Sequence, residues 1–312
     1  MMTEEFRIYH VAKLYYIDHM KQNDIAEMLS ISPMLVSRIL KRAEQEGIVT
    51  FQVRSPNQLD WQLGARLKEK FRGLKEALVV HAPAEADMRA QIGQTAAAYI
   101  LDVAKDDSIL GISWGRNICE VAKALPLSPH PGMQVVQMSG GFLCDTDYMM
   151  MPSNLVKLVS ERLQCGAVFL NAPLYVSSEE AGRLLAQDPM YRYIQSLAQR
   201  CDITLYGLSC IEASSTTTRV GVLSEDSMAE LAARGAVGDI MGHFIDAQGE
   251  FVDWSGRNCQ MGVSLSTVSA AAHAICVAAE PEKAGVMRCA IQRGYTNTVV
   301  ISSQLAERLL AL

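Results

Sequence analysis

A short polar loop in the middle of the chain combines residue types that suit the binding of an anionic group. The loop Ser113-Trp114-Gly115-Arg116-Asn117 directly follows the apolar run Ile109–Ile112, and apolar residues at helical spacing come after it. Gly115 permits close backbone approach, the start of a helix offers free amides, and Ser113, Arg116 and Asn117 add donors. This pattern favours a phosphate site, although most glycine-bearing strand-to-helix turns bind nothing.

Three further segments are expected near this loop. Ser139-Gly140-Gly141 and Asn171-Ala172-Pro173 each follow another apolar run, and Gly235–Ile240 places Asp239 among glycines and small apolar residues. In a parallel sheet, ligands bind at the carboxyl ends of the strands, where such segments meet. Asp239 could accept hydrogen bonds from vicinal hydroxyls, but a helix N-cap or a turn aspartate is an equal alternative.

The elements that must position these residues form an alternating pattern. From residue 77 onward, short apolar runs alternate with helical patterns, which is typical of a mostly parallel sheet covered by helices. A helix is also expected at Leu59, Leu63 and Leu67. The runs expected to be buried strands are Ala77–Val80, Ile109–Ile112, Val135–Met138, Ala167–Leu170, Ile203–Leu205, Ile275–Ala278 and Thr298–Ile301.

The N-terminal segment predicts three helices. The first carries an apolar stripe at Ile8, Val11, Ala12 and Tyr15, and the second spans Gln22–Leu29. Ser32 and Pro33 suit the N-cap and first turn of the third helix, which should run to Glu46 because Gly47 follows it. Ile48–Val53 then predicts a strand, as in the wing of a winged helix-turn-helix.

The third helix has two different faces. Val36, Ile39, Leu40 and Ala43 share one face, and the opposite face is polar and basic without a carboxylate between Pro33 and Arg42. A recognition helix needs such a free basic face to reach base edges and phosphates in the major groove. The alternative is a packing module whose cationic face is merely solvated. The residues expected to contact DNA are Ser32, Met34, Ser37, Arg38, Lys41 and Arg42.

The composition narrows the class of protein. The 312 residues are 49% hydrophobic and carry a formal net charge of −6, which suits two domains and argues against indiscriminate coating of nucleic acid. The eight cysteines show no metal-ligand spacing, and no apolar run is long enough to cross a bilayer. We therefore expect a cytoplasmic protein with reduced thiols, no metal and no membrane partner.

Several motifs together resemble one family of bacterial regulators. The segments LYYIDHMKQNDIAEMLSISPMLVSRILKRAEQEGIV, GISWGRN, MSGG, NAPLYV and RGAVGDIMGHFIDAQGE are similar to those of the SorC family of sugar-responsive transcriptional regulators. The resemblance implies an effector domain related to sugar-phosphate isomerases, with Ser113, Gly115 and Asn117 in a phosphate loop. It also implies that Asp239 binds hydroxyls and that Lys283 lies near the ligand.

The chain departs from the family pattern at four places. Met34-Leu35 replaces a polar or basic pair that the family often carries, and Lys21 replaces a capping Ser or Thr. Near the ligand, Ala279-Glu280 stands where a glycine pair is common, and Ser302-Ser303-Gln304 replaces Thr-Asp-Glu. These departures bear on base readout and ligand identity more than on the fold.

The sequence thus predicts an α/β protein, with a winged helix-turn-helix domain at 1–54 and a larger, mostly parallel α/β domain at 55–312 for effector binding and oligomerisation. The expected function is regulation of a carbohydrate-utilisation operon. The expected partners are double-stranded operator DNA, a phosphorylated sugar or polyol, and copies of the chain in a tetramer, a dimer of dimers. No cofactor is expected. The effector-binding residues would be Ser113, Trp114, Gly115, Arg116, Asn117, Gly140, Gly141, Asn171, Asp239 and Lys283.

The alternative function is a sugar-phosphate isomerase or deaminase with an appended helical domain. Such chemistry needs a general base, for which Asp145, Asp147, Asp239 and His243 are the candidates near the proposed loops. None lies in a recognisable catalytic motif, so no catalytic residue is expected. A pure interaction scaffold is a weaker alternative.

Overall fold

The computed structural model describes residues 4–50, 59–81, 87–143, 148–211, 216–219, 221–254 and 259–312. The chain divides into two compact units, Met1–Ser55 and Pro56–Leu312. Arg54–Asn57, where the composition predicts a linker, lies outside the described residues. No helix in the described ranges is long and apolar enough to span a membrane.

The helices and strands are numbered here in chain order. The α-helices are α1 Glu4–Tyr16, α2 Gln22–Met28, α3 Pro33–Gln45, α4 Trp61–Lys70, α5 Met88–Val103, α6 Arg116–Ala124, α7 Pro152–Leu163, α8 Glu179–Gln187, α9 Pro189–Ala198, α10 Thr216–Arg219, α11 Glu225–Ala233, α12 Leu265–Ser269, α13 Ala284–Gln292 and α14 Ser303–Ala311. The strands are β1 Glu76–Val80, β2 Ile109–Ile112, β3 Gln134–Gln137, β4 Gly166–Val168, β5 Tyr175–Val176, β6 Ile203–Tyr206, β7 Leu208–Cys210, β8 Ala236–Ile240, β9 His243–Asp246, β10 Cys259–Gln260, β11 His273–Ala278 and β12 Thr298–Ser302.

The N-terminal unit contains α1, α2 and α3 around a small apolar core. The predicted inner face of α3 is buried at all four positions, and Ile8, Val11 and Ala12 of α1 pack against it. Ser32 caps α3, since its hydroxyl accepts a hydrogen bond from the Leu35 amide at 3.2 Å. Lys21 precedes α2 without a side-chain cap, so the first turn of that helix is held less firmly.

The prediction of a wing strand is wrong for Ile48–Thr50, the part of it that the structure describes. Ile48–Thr50 form a bend rather than a strand, because α3 ends at Gln45 and Gly47 turns the chain with a φ of 71°. The rest of the predicted strand, Phe51–Val53, lies outside the described residues.

In the larger unit, the described residues form a seven-stranded parallel sheet in the order β1-β12-β11-β6-β2-β3-β4. Every strand of this sheet overlaps one of the predicted apolar runs, which confirms the mostly parallel α/β fold, but β4 ends at Val168, before the predicted Leu170, and is not buried as predicted. The chain moves outward through β2, β3 and β4, then returns through β6, β11 and β12. The strand order therefore reverses between β2 and β6.

Except at the edge strand β4, both faces of the sheet are buried, which explains why these strands are continuous apolar runs in the sequence. Along β1, Ala77 and Val79 join the core beneath α4, α13 and α14. Leu78 and Val80 point the other way, into the core that α5, α6 and α7 cover. Helix α4 begins at Trp61, so Leu59 is not helical as expected but bridges to Val80 of β1.

A second, antiparallel sheet was not predicted. Strand β8 lies between β7 and β9, and the tight turn Met241-Gly242 joins β8 to β9. Both turn residues have positive φ, 56° and 85°, as a two-residue hairpin of this hand requires. The segment Gly235–Ile240 was expected near the loop after β2, and its strand conformation was not predicted. Asp239 lies on β8.

Candidate functional site

A pocket opens where the order of the parallel strands reverses. It lies against the residues that follow β2, namely Trp114–Ile118, and those that follow β6, namely Gly207–Ser209. In open α/β sheets the helices on the two sides of such a reversal diverge, and this leaves a crevice outside the carboxyl ends of the strands. The fold therefore places a pocket at the position where ligands bind in sheets of this kind.

The pocket brings together most of the predicted effector residues. They come from three separate parts of the chain: the loop after β2, strand β8 and the turn before α13. The lining residues are Trp114, Gly115, Arg116, Asn117, Ile118, Gly207, Leu208, Ser209, Thr217, Asp239, Met241 and Lys283.

The loop after β2 presents the first turn of α6 to the pocket. Gly115 is the N-cap residue, with a φ of 130° that side-chain-bearing residues rarely adopt, and no side chain caps this turn within the described residues. A Cβ atom at Gly115 would meet nothing within 4 Å. The helix N-terminus and the Arg116 guanidinium can therefore both act on an anion.

Asp239 supplies a buried carboxylate to the same pocket. Its side chain is 4% exposed, and Oδ2 accepts a hydrogen bond from the Gly242 amide at 2.9 Å in the β8–β9 turn. Burial raises the pKa of Asp239 to about 6, although the Gly242 hydrogen bond and the nearby charge of Lys283 oppose this rise. The carboxyl group is therefore ionised at neutral pH and protonated in mild acid.

Lys283 belongs to an ion-pair network beside the pocket. Its ammonium Nζ lies 2.9 Å from Oε2 of Glu280, while the Arg89 guanidinium on α5 lies 2.8 Å from Oε1. Burial alone would raise the pKa of Glu280, but the two cations hold it well below its ordinary range. Asn117 Nδ2 also donates to Glu280 Oε2, at 3.4 Å. The lysine predicted from the resemblance thus lies in the pocket wall with its charge paired.

Other predicted effector residues lie away from this pocket. Ser113 is buried and its hydroxyl meets that of Ser139 at 3.1 Å. Gly140 packs against the backbone, since a Cβ there would lie 2.3 Å from the Pro173 carbonyl oxygen. Gly141 and Asn171 line a second pocket at the ends of β3 and β4. The structure therefore separates these residues from Asp239 rather than gathering all of them in one site.

Sequence reasoning missed several residues of the first pocket. Gly207 and Ser209 follow the predicted strand β6, so the rule used for the other strand ends could have found them. Thr217, on the short helix α10, lies in the hydroxyl-rich run 214–218, which was a usable signal. Met241 depends on the β8–β9 turn, which the sequence analysis did not predict.

Of the candidate general bases that the structure describes, one lines this pocket and one does not. Asp239 lines it, whereas His243 does not, and its ring lies 5.5 Å from that of Phe251. Burial lowers the pKa of His243, so the imidazole is neutral at pH 7. Asp145 and Asp147 lie outside the described residues. Within the described ranges, no His, Cys, Asp and Glu side chains form a group that could hold a metal ion.

In the N-terminal unit, α3 presents a free polar face. Ser32, Met34, Ser37, Arg38 and Lys41 are exposed, and Met34 is 72% exposed. Among the described residues, Arg38 and Lys41 make no ion pair.

Arg42 differs from these two cations. Its guanidinium forms ion pairs with Glu4 of α1 and with Glu46. The distance from Arg42 Nε to Glu46 Oε1 is 2.5 Å. The expectation of a face without carboxylates therefore holds for Arg38 and Lys41 but not for Arg42.

Each of the two units matches a known protein family. The Sugar-bind family model, which describes a sugar-binding domain, matches residues 55–311, and the MarR family model matches residues 8–57. A deoxyribonucleoside regulator of Bacillus subtilis is 29% identical over 96% of this chain and 95% of its own length. The transcriptional regulator LsrR of Klebsiella pneumoniae is also 29% identical, over 100% of this chain and 94% of its own length.

The fold is similar to that of a solved regulator over its whole length. The full-length sorbitol operon regulator SorC from Klebsiella pneumoniae superposes with a TM-score of 0.71 at 25% identity, covering 99% of this chain and 100% of the other. The similarity includes the N-terminal helices as well as the α/β unit, so it extends over both parts of the chain.

Proposed function

The chain belongs to the Sugar-bind family and is a regulator of the SorC type, and from this premise we propose that it controls a carbohydrate-utilisation operon. In this proposal, residues 1–54 bind operator DNA. Residues 55–312 bind a phosphorylated sugar or polyol and form the oligomer. The relatives named as transcriptional regulators, among them one of deoxyribonucleosides, support the assignment.

The observation that carries the proposal is the composition of the pocket at the strand reversal. The helix N-terminus that begins at Gly115, together with Arg116, offers sites for a phosphate, and the Asp239 carboxylate offers an acceptor for hydroxyls. A phosphorylated sugar or polyol carries both kinds of group. A purely apolar effector carries neither kind of group.

The DNA contacts are assigned to the exposed face of α3. Arg38 and Lys41 supply phosphate contacts, and Ser32 and Ser37 supply hydroxyls near the start of the helix, where recognition helices meet base edges. The exposed Met34 side chain suits an apolar contact with a thymine methyl group. We propose that Arg42 mainly forms ion pairs with Glu4 and Glu46 and contributes less to DNA binding.

Regulation requires only that the effector bind two states of the protein with different affinity. We therefore propose binding without turnover, and a homotetramer, arranged as a dimer of dimers, that reads pseudo-palindromic operators. Since bacterial operators are cytoplasmic, such a protein works in the cytoplasm.

The test is an operator titration with and without effector. DNA from upstream of the gene is bound to the protein while a panel of sugar phosphates, and the same sugars without phosphate, is added. One or more phosphates should change operator affinity and raise the melting temperature, and the matching free sugars should act far more weakly. The proposal fails if upstream DNA binds no better than random duplex.

Two variants test whether Arg116 contacts the phosphate of the effector. Arg116→Gln removes the pocket cation next to the helix N-terminus, whereas Arg192→Gln removes an exposed cation of α9 outside the pocket. Only the first should weaken the response to the phosphorylated sugar. An assay for product in the same samples checks turnover, and consumption of the ligand that Asp239→Asn abolishes would favour the enzyme.

A further inference from the structure

A partly buried carboxylate, 21% exposed, is paired with Lys283 of the pocket lining. Glu280 precedes the 3₁₀ turn Pro281–Lys283, contacts Arg89 and Lys283 on opposite oxygens, and is absent from the pocket lining. The side chain is thus a feature of this chain that the proposed function does not yet use.

Glu280 determines which atom of the Asn117 amide is turned toward its own carboxylate. Ionised by its two cations, the carboxylate can only accept hydrogen bonds, so the NH₂ group of Asn117 must be the group that turns toward it. The other amide atom, Oδ1, is then turned away from Glu280. It is buried, in a side chain only 4% exposed, and has no hydrogen-bond partner among the described residues.

An amide oxygen can accept but not donate, and phosphate oxygens at neutral pH also accept. Oδ1 therefore disfavours a phosphate and needs a donor, which in a sugar is a hydroxyl. Glu280 also pairs with the ammonium of Lys283, so less of that charge is available to a phosphate. The phosphate is left to Arg116 and the first turn of α6.

We propose that Glu280 is a positioning residue that turns the amide oxygen of Asn117 into the pocket, where it selects a hydroxyl of the effector. This deepens the proposed function and rests on it. The resemblance assigned Asn117 to the phosphate loop, and the inference moves its side chain from phosphate binding to hydroxyl recognition. Asn117 and Asp239 then provide two acceptors for the polyol part of the ligand.

The experiment measures selectivity rather than affinity alone. Calorimetry compares ribose 5-phosphate, glucose 6-phosphate and fructose 6-phosphate with analogues that lack one hydroxyl at each successive position. At one position, the wild-type protein should prefer the hydroxyl by about tenfold, since the deoxy analogue leaves Oδ1 unpaired. Glu280→Gln should reduce this ratio to about twofold, because a glutamine amide can donate as well as accept and no longer fixes Asn117.

The matched control is Glu282→Gln, which removes an exposed carboxylate two residues away and should leave the ratio unchanged. Asn117→Leu, of similar size, removes the acceptor and should abolish the preference even if Glu280→Gln does not fold. Unchanged selectivity in either folded variant would overturn the inference while leaving the proposed function intact. Failure of every sugar phosphate to bind the wild-type protein would overturn both.

Discussion

Replacing Asp239 by asparagine should stabilise the larger unit at neutral pH while weakening effector binding. Burial raises the pKa of Asp239 from 3.8 to about 6 in the folded protein. The folded state therefore binds this proton more tightly than the unfolded state. The resulting stabilisation is complete below pH 3.8 and is lost as the pH rises through about 6. A shift of about two pH units corresponds to about 3 kcal/mol.

Asparagine cannot ionise and has nearly the same shape, and its oxygen can still accept the hydrogen bond of Gly242. The free energy of unfolding of Asp239→Asn should therefore exceed that of the wild type by a margin that grows by about 3 kcal/mol between pH 4 and pH 8. Lys283 opposes the rise in the Asp239 pKa. In a Lys283→Met background the pKa of Asp239 should be higher. The difference in the free energy of unfolding between the Asp239→Asn variant and its parent should accordingly increase over a higher pH range.

Urea unfolding followed by tryptophan fluorescence measures the relevant unit alone. The three tryptophans of the chain, Trp61, Trp114 and Trp254, all lie within Pro56–Leu312. Taking the difference between variant and wild type at each pH cancels the titration of distant carboxyl groups. Asp107→Asn, at an exposed position, controls for the loss of a surface carboxylate. A difference that stays constant from pH 4 to pH 8 would refute the reasoning.

The remaining predictions concern single positions in both units. Arg38→Ala or Lys41→Ala should each lower the slope of log affinity against log salt for operator DNA by about one, and Arg42→Ala should change it less, which titrations at several salt concentrations would show. Gly115→Val should abolish the effector response in operator titrations but preserve DNA binding, because the strained backbone and the new side chain disturb the first turn of α6; a folded, fully responsive variant would remove this turn from the site. Gly140→Ala should lower stability in urea by about 1–3 kcal/mol because its Cβ meets the backbone of Pro173, and wild-type stability combined with lost effector binding would instead favour a direct ligand role.

Apart from the edge strand β4, the strands of the parallel sheet were predictable because they are buried on both faces. Leu78 and Val79, for example, point into different cores, so neither face of β1 needs polar residues. The helix boundaries near α3 were predictable for a different reason, since Ser32, Pro33 and Gly47 act through local backbone geometry.

The antiparallel sheet and the pairing of charges were not predictable from local patterns. Strand β8 contains Gly238 and Asp239, residue types that disfavour strands, and it persists because it pairs with β7 and β9 on both edges. The ion pair of Arg42 with Glu4 joins residues 38 positions apart. The order of the parallel strands, and with it the location of the pocket, likewise depends on long-range pairing that no single segment contains.

The position of the small antiparallel sheet has a consequence for how regulators of this type diversify. It occupies the connection between β6 and β11, which are neighbours in the parallel sheet, so its length and sequence do not affect their register. Its fit depends on Gly238, where a Cβ would collide with Ser209 and with Val286 of α13. Transplanting the segment between related chains, with this glycine retained, should therefore change only the side of the pocket that Asp239 lines while the host scaffold folds as before.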